Sequence, residues 1–224
     1  MRKTCAAPLF SPPHSGVAAL TLLTLHLLTS SPPIHTCPKS IPIKSKIPHN
    51  PPMKLIAIAG YSGSGKTTLI EKVIPTLVMD GYRVALIKHA HHEFDIDTPG
   101  KDSHRHRMAG ATEVLVTSSK RWALMHELRD AIEPTLEEQL KHLSPCDVVI
   151  VEGWKHHDIP KIEVHRKLAG QPLLFVTDKN VIAVATDEPL ATALPQFALE
   201  DAEGVAALIV KHLGLRKSNL HVVK

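Results

Sequence analysis

Apolar positions in this chain fall into short runs separated by polar stretches and by segments with helical spacing. Leu55-Ile56-Ala57-Ile58-Ala59 is wholly apolar and has the length of a strand buried on both faces. The pattern then changes period. Thr67-Thr68-Leu69-Ile70-Glu71-Lys72-Val73-Ile74 spaces its apolar residues as a helix does, and Gly81-Tyr82 closes it. Arg83-Val84-Ala85-Leu86-Ile87 reads as a second strand and Val114-Leu115-Val116 as a third short one. Thr135 to Leu143 carries Leu136, Leu140 and Leu143 on one face of a helix, and Val148-Val149-Ile150-Val151 is another strand of the two-faced type. Runs at Leu173-Leu174-Phe175-Val176 and Val181-Ile182-Ala183-Val184-Ala185 are expected to extend the sheet, and Ala202 to Leu213 to form a terminal helix. Strands alternating with helices predict an α/β domain with a mostly parallel sheet flanked by helices. In such open sheets ligands bind beyond the carboxyl ends of the strands, so the residues leaving each strand carry the chemistry.

Residues 1–52 differ from this pattern. Pro12-Pro13, Pro32-Pro33, Pro38, Pro42, Pro48 and Pro51-Pro52 break any long helix. Between them, the apolar run from Val17 to Leu28 behind Arg2 and Lys3 looks like the core of a secretory signal, yet it is short of the ~20 residues of a membrane span. The alternatives are an exported or tethered protein, and an extension that is disordered or translated from an upstream start. Met53, directly before the first strand, is a natural beginning for the compact domain, expected over 53–224. The second alternative is preferred, which makes the protein cytoplasmic with no membrane partner. Cysteine usage agrees: Cys5, Cys37 and Cys146 form no CxxC pair and no even framework, as in a reducing compartment.

Composition narrows the partners. Aromatic residues are 4% of the chain, too few for a base-stacking surface, and the net charge of +4 carries no dense Lys/Arg block, so no nucleic-acid partner is expected. The 16 histidines are unusual for 224 residues. Three of them precede two aspartates in Lys88-His89-Ala90-His91-His92-Glu93-Phe94-Asp95-Ile96-Asp97, but the spacing matches no common zinc site. The preferred reading gives Asp95 or Asp97 a share in a Mg²⁺ site and leaves the histidines to phosphate or loop packing.

The sharpest signal follows the first strand. Gly60-Tyr61-Ser62-Gly63-Ser64-Gly65-Lys66-Thr67 is a complete phosphate-binding loop between strand and helix, the P-loop NTPase-like arrangement, with Thr68 continuing into the first turn. Glycines let the backbone approach a phosphate while the helix presents its free N–H donors. Lys66 is expected to reach the β- and γ-phosphates and the Thr67 hydroxyl to hold Mg²⁺. Glu152 leaves the buried strand toward the same edge, where a carboxylate binds the cation or orients water, whereas Asp147 at the opposite end reads as structural. Arg105 and Arg107, in a short helix ending at Gly110, are candidates to neutralise phosphate, with a solvated helix face the alternative; Asp102-Ser103 is expected to cap that helix. Base recognition stays open. The guanine-reading Asn-Lys-x-Asp is absent, and Asp178 and Asp187, each leaving an apolar run, serve equally well as acceptors or turn residues.

Taken in order, the loop with Thr68-Leu69, Lys88-His89 through Asp95-Ile96-Asp97, Pro99-Gly100-Lys101-Asp102-Ser103, Arg105 to Ala109-Gly110-Ala111, Arg121-Trp122-Ala123-Leu124, Val151-Glu152-Gly153-Trp154-Lys155 and Pro160-Lys161-Ile162-Glu163 resemble the MobB family, the molybdopterin-guanine dinucleotide biosynthesis adaptor proteins. The resemblance spans residues 53 to about 213. It implies a homodimeric P-loop protein that binds GTP and assists the molybdenum cofactor guanylyltransferase that attaches GMP to molybdopterin, giving its guanine dinucleotide, with slow hydrolysis at most; the Mg²⁺ comes from the residues above. From the residues themselves, the expected phosphate site is Gly60 to Thr68 with Arg105, the expected cation site is Thr67, Asp95, Asp97 and Glu152, and Lys66 and Glu152 are the residues expected closest to any chemistry. A small-molecule kinase and a metallochaperone-type GTPase are the competing readings; no recognisable acceptor site or Arg-rich lid favours the first, and irregular histidine spacing disfavours the second.

Overall fold

The computed structural model describes residues 53–90, 94–155 and 157–216. The expectations for residues 1–52, and for His91, His92 and Glu93, lie outside these.

Strand β1 (Lys54–Ala59) runs into the phosphate loop, followed by helix α1 (Lys66–Met79) and strand β2 (Val84–Lys88). Helix α2 (Asp102–Met108) leads to strands β3 (Glu113–Thr117) and β4 (Trp122–His126). The short helix α3 (Leu136–Leu140) precedes β5 (Val148–Glu152) and β6 (Lys161–His165); β7 (Val181–Thr186), β8 (Gln196–Ala198) and α4 (Ala202–Leu213) complete the described chain. Six strands form one all-parallel sheet in the order β2-β5-β1-β6-β7-β8, while β3 and β4 pair antiparallel by themselves.

Strand alternation sorts the core. Ile56, Ile58, Val148, Ile150, Ile162 and Val164 face α1 and α4, packing on Leu69, Val73, Leu77, Val205 and Ile209. The intervening Ala57, Val149 and Val151 face the other way, onto Ile87, Leu136 and Trp154. Burial of both faces is what the continuous apolar runs predict. Register sets the functional edge. Lys88, Glu152 and Ile58 lie level on adjacent strands, with β6 one strand further along on the other side of β1.

Four expectations need correction. Val114 to Val116 belongs to the separate β3–β4 hairpin rather than to the main sheet. Leu174–Val176 is a single 3₁₀ turn, because the buried Glu163 carboxylate takes the N–H groups of Leu174 (2.7 Å) and Phe175 (2.9 Å) that a strand would use in a ladder. The helix predicted from Thr135 to Leu143 spans only Leu136–Leu140, started by a capping box in which Thr135 and Glu138 bond each other's backbone N–H. Asp102 does not cap α2; Lys101 occupies that position without a side-chain hydrogen bond, and Asp102 lies in the first turn.

Strand β6 goes unrecognised in the pattern reading because Lys161, Glu163 and His165 interrupt it, yet all its residues are buried. The charges are satisfied internally. Lys161 Nζ donates to Asp178 Oδ2 at 2.9 Å and to the carbonyls of His157 and Ile159. Burial alone raises the Asp178 carboxyl, but the hydrogen bonds from Lys161 and Asn180 outweigh it and hold the group below the usual carboxylate range. Asp147 behaves as the sequence suggests, accepting from the backbone N–H of Arg83 (2.7 Å) and from its guanidinium at the start of β5.

Candidate phosphate-binding site

The loop between β1 and α1 is shaped by close packing. Gly60 has φ of +149°, and a β-carbon there would stand 2.4 Å from the Val164 carbonyl oxygen, so no other residue fits without displacing β6. Gly65, also in the left-handed region, is the N-cap of α1. The helix therefore opens with no side-chain cap, and its first N–H groups remain for a ligand. Ser64 is 2% exposed, and its hydroxyl has no partner among the described residues.

Lys66 Nζ donates to the Tyr61 carbonyl at 2.8 Å, folding back across the loop. Burial pulls its pKa below the ordinary lysine value; Glu152 opposes that shift, and Lys155 and Lys88 reinforce it. Thr67 Oγ1 donates to Glu152 Oε1 at 2.7 Å, and Lys88 Nζ lies 3.5 Å from Glu152 Oε2. Glu152 is 6% exposed, at the carboxyl end of β5. The pair Thr67–Glu152 thus brings two hard oxygen donors together beside the loop lysine. That donor set fits Mg²⁺, which takes one or two protein oxygens and fills its remaining positions with water and phosphate. When bound, such a cation neutralises phosphate charge; Thr67 and Glu152 would hold it.

After Glu152 the backbone reverses through Gly153 (φ +98°) and Trp154 (φ +44°). A left-handed tryptophan is a genuine outlier and persists here because its surroundings hold it. Its ring is buried, edge-on to His89 (5.5 Å) and stacked on His157 (4.3 Å). His89 Nε2 in turn lies 3.0 Å from Glu133 Oε1. The turn delivers Lys155 Nζ to 3.8 Å from the centre of the Tyr61 ring, a cation–π contact onto the loop itself.

The structure brings together Gly60 to Thr68 and Glu152, but not the other candidates. Asp95 Oδ2 lies 2.6 Å from Arg107, whose other contacts are Glu127 (2.9 Å) and Asp97 (3.7 Å). Asp97 also accepts from the Ser103 hydroxyl at 2.7 Å and from the Thr98 N–H. The hydrogen bond from the Asp97 N–H, then that from Arg107, holds the Asp95 carboxyl below its ordinary value. None of these contacts reaches Thr67 or Glu152. Arg107 anchors the 94–97 segment to α2 and the hairpin. Arg105 is an exposed side chain 3.7 Å from Asp102 of its own helix. Among the described residues no cluster of three His, Cys, Asp or Glu side chains has metal-binding geometry. Asp178 is engaged by Lys161, and Asp187 accepts from the Lys167 N–H at 2.9 Å.

Three cations at this edge were not singled out from the sequence. Lys88 and Lys155 stand at or just beyond the ends of β2 and β5, the positions that the strand-end rule says to read. Arg166 directly follows β6, and its guanidinium reaches Gly65, with Nη2 3.5 Å from where a β-carbon on that glycine would be. The signal for it was the same rule, hidden because β6 did not read as a strand.

The family model for molybdopterin guanine dinucleotide synthesis protein B, MobB, matches residues 55–187. The chain is 46% identical over 160 residues to the molybdopterin-guanine dinucleotide biosynthesis adapter protein of Escherichia coli (strain K12), covering 70% of this chain and 91% of that protein. It is 44% identical over 141 residues to the adapter protein of Haemophilus influenzae, covering 63% of this chain and 79% of that one. Among solved structures, the crystal structure of molybdopterin-guanine biosynthesis protein B superimposes with a TM-score of 0.58 at 27% identity, over 71% of this chain and 99% of that one.

Proposed function

The chain belongs to the MobB family, and from that premise we propose that it is a GTP-binding adaptor that serves the attachment of GMP to molybdopterin. The adaptor role in molybdenum cofactor biosynthesis and the nucleotide-binding P-loop fold are properties of the family. GTP as the nucleotide, Mg²⁺ as its cation and a cytoplasmic, homodimeric protein are our reading of this chain, as is assistance to the guanylyltransferase that uses molybdopterin.

One observation carries the nucleotide reading: the 2.7 Å hydrogen bond from Thr67 Oγ1 to Glu152 Oε1, which sets a carboxylate against the hydroxyl at the head of α1. A chance glycine-rich turn has no reason to meet a buried carboxylate there. In this reading the loop N–H groups and Lys66 grip the polyphosphate, and Thr67 and Glu152 hold its cation. Guanine is supported by the relatives' names, which refer to a guanine dinucleotide. Glu152 is engaged by Thr67 and Lys88 rather than left free to orient water, in keeping with hydrolysis that is slow at most.

Homodimerisation is supported by the β3–β4 hairpin, a two-stranded unit of a kind that is marginal alone. It exposes Leu115, Val116, Trp122 and Leu124. A second copy laid along this surface covers both the apolar side chains and the unpaired strand edges.

The test is a titration with GTP and ATP, with and without Mg²⁺, of the wild-type protein and Lys66→Ala. Preference for GTP, tightening by Mg²⁺ and loss of binding without Lys66 are expected. Equal affinity for ATP removes the guanine assignment, and unchanged binding by Lys66→Ala removes the loop as the site.

A further inference from the structure

The loop edge carries more positive charge than its own residues can neutralise. Lys66 lies across the loop, Lys155 stands over Tyr61, and Lys88 is 3.5 Å from Glu152. Arg166 adds a fourth cation beside Gly65, at the N-terminus of the 14-residue helix α1, where the helix dipole is itself positive. Arg166 is half-buried yet has no ion pair or hydrogen bond among the described residues. Carboxylates are at hand but engaged: Asp187 accepts from the Lys167 N–H, and Glu188 lies 2.8 Å from Lys167 Nζ and 3.9 Å from His165. A guanidinium placed beside the positive end of a helix is unfavourable unless an anion lies between them. The buried, unpartnered Ser64 hydroxyl points to the same conclusion from inside the loop.

Topology says which part of the anion. Sheet order places β5 and β6 on opposite sides of β1. Glu152, and with it the Thr67 oxygen pair, lies on the β5 flank of the loop, whereas Arg166 lies on the β6 flank, just past the Val164 carbonyl that touches Gly60. A polyphosphate laid over the loop with its metal-bearing end toward Glu152 has its other end, the one joined to the nucleoside, toward Arg166.

We propose that Arg166 is a phosphate-binding residue that grips the α-phosphate of the bound nucleotide from the flank opposite Glu152. This rests on the nucleotide reading above. A guanidinium suits the task because its fork donates two parallel hydrogen bonds to one phosphate, where a lysine supplies a point charge.

The α-phosphate is common to di- and triphosphates, which makes the assignment testable by calorimetric titration of GTP and GDP into wild type, Arg166→Ala and Arg166→Lys. Each protein is first checked by thermal melting. Losing a charge-assisted contact is expected to weaken GTP and GDP binding by a similar factor, about tenfold to a hundredfold, in Arg166→Ala. Arg166→Lys is expected to fall between, and the ³¹P resonance of the α-phosphate of bound GDP to shift in both variants. Unchanged affinities in Arg166→Ala overturn the proposal while leaving the nucleotide site intact. Loss confined to GTP overturns it too, by moving the contact to the terminal phosphate. If wild type binds neither nucleotide, the GTP reading falls first and this one with it.

Discussion

Strand β5 and the β3–β4 hairpin are built from similar residues and end in opposite environments. Every residue of β5, Val148 to Glu152, is buried, its carboxylate included. In the hairpin, Val114 and Met125 are half-buried while Leu115, Val116, Trp122 and Leu124 are exposed. The difference lies in what each strand is given to pair with. β5 sits between β1 and β2 with packed side chains on both faces, whereas each hairpin strand pairs only with the other and β3 packs against the short helix α2. In the function proposed above, the nucleotide is held at the buried sheet edge, and the exposed hairpin is the surface left for a second copy.

Breaking the rigid edge is expected to have the largest effect. Lys66→Ala should lower nucleotide affinity at least about a hundredfold, since it removes a charge-assisted contact and leaves the phosphate short of its closest cation. Calorimetric titration checks this, and a smaller loss than that of Arg166→Ala would reverse the order of importance within the site.

Next comes the charge buried in β6. Asp178→Asn leaves Lys161, 1% exposed, without its counter-ion and should cost about 3 kcal/mol in a denaturant melt. The Asp178 pKa is lowered on folding, so its stabilising contribution is fully present above the ordinary carboxylate range. It is lost as pH falls through the lowered value, because the unfolded chain takes up the proton first. The wild type should therefore lose its advantage over Asp178→Asn in acid. A difference that does not shrink as pH falls would assign the effect to packing.

The annex should respond differently. Leu115→Ser and Trp122→Ser remove side chains that are 60% and 63% exposed, so monomer stability should move by no more than about 0.5 kcal/mol. Sedimentation should instead show a shift from dimer to monomer. A wild-type protein that sediments as a monomer at high concentration ends the dimer reading.

The smallest effect concerns the segment held by Arg107. Asp95→Asn and Asp97→Asn should speed hydrogen exchange over residues 94–97 yet leave the Mg²⁺ dependence of nucleotide binding unchanged, whereas Glu152→Gln should weaken it. If the aspartate variants lose Mg²⁺ dependence as Glu152→Gln does, both belong to the cation site after all.

These contrasts follow how much of the molecule is legible in its sequence. The loop and Glu152 are, because their signals are local: a glycine-rich turn between a buried strand and a helix, and a carboxylate ending an apolar run. Strand β6 is not, since Lys-Ile-Glu-Val-His alternates as a half-exposed strand does and its burial depends on Asp178 and on the N–H groups of Leu174 and Phe175. With β6 unread, Arg166 had no strand end to mark it. Asp95, Asp97 and Arg105 look like site residues because polar loops after strands often are, and here Arg107 takes both aspartates while Asp102 faces Arg105.

By itself the sequence determined the α/β alternation, the phosphate loop with Lys66 and Thr67, and the carboxylate, Glu152, that ends an apolar run. Each depends on residues within a few positions of one another, where periodicity and backbone sterics suffice. Tertiary structure alone decided that Val114–Val116 stands apart from the main sheet, that β6 buries its charges, and which cations converge on the loop. Those outcomes depend on partners far apart in the chain, such as Lys161 with Asp178 and Arg166 with Gly65, and no local pattern encodes a pairing that only the packed sheet creates.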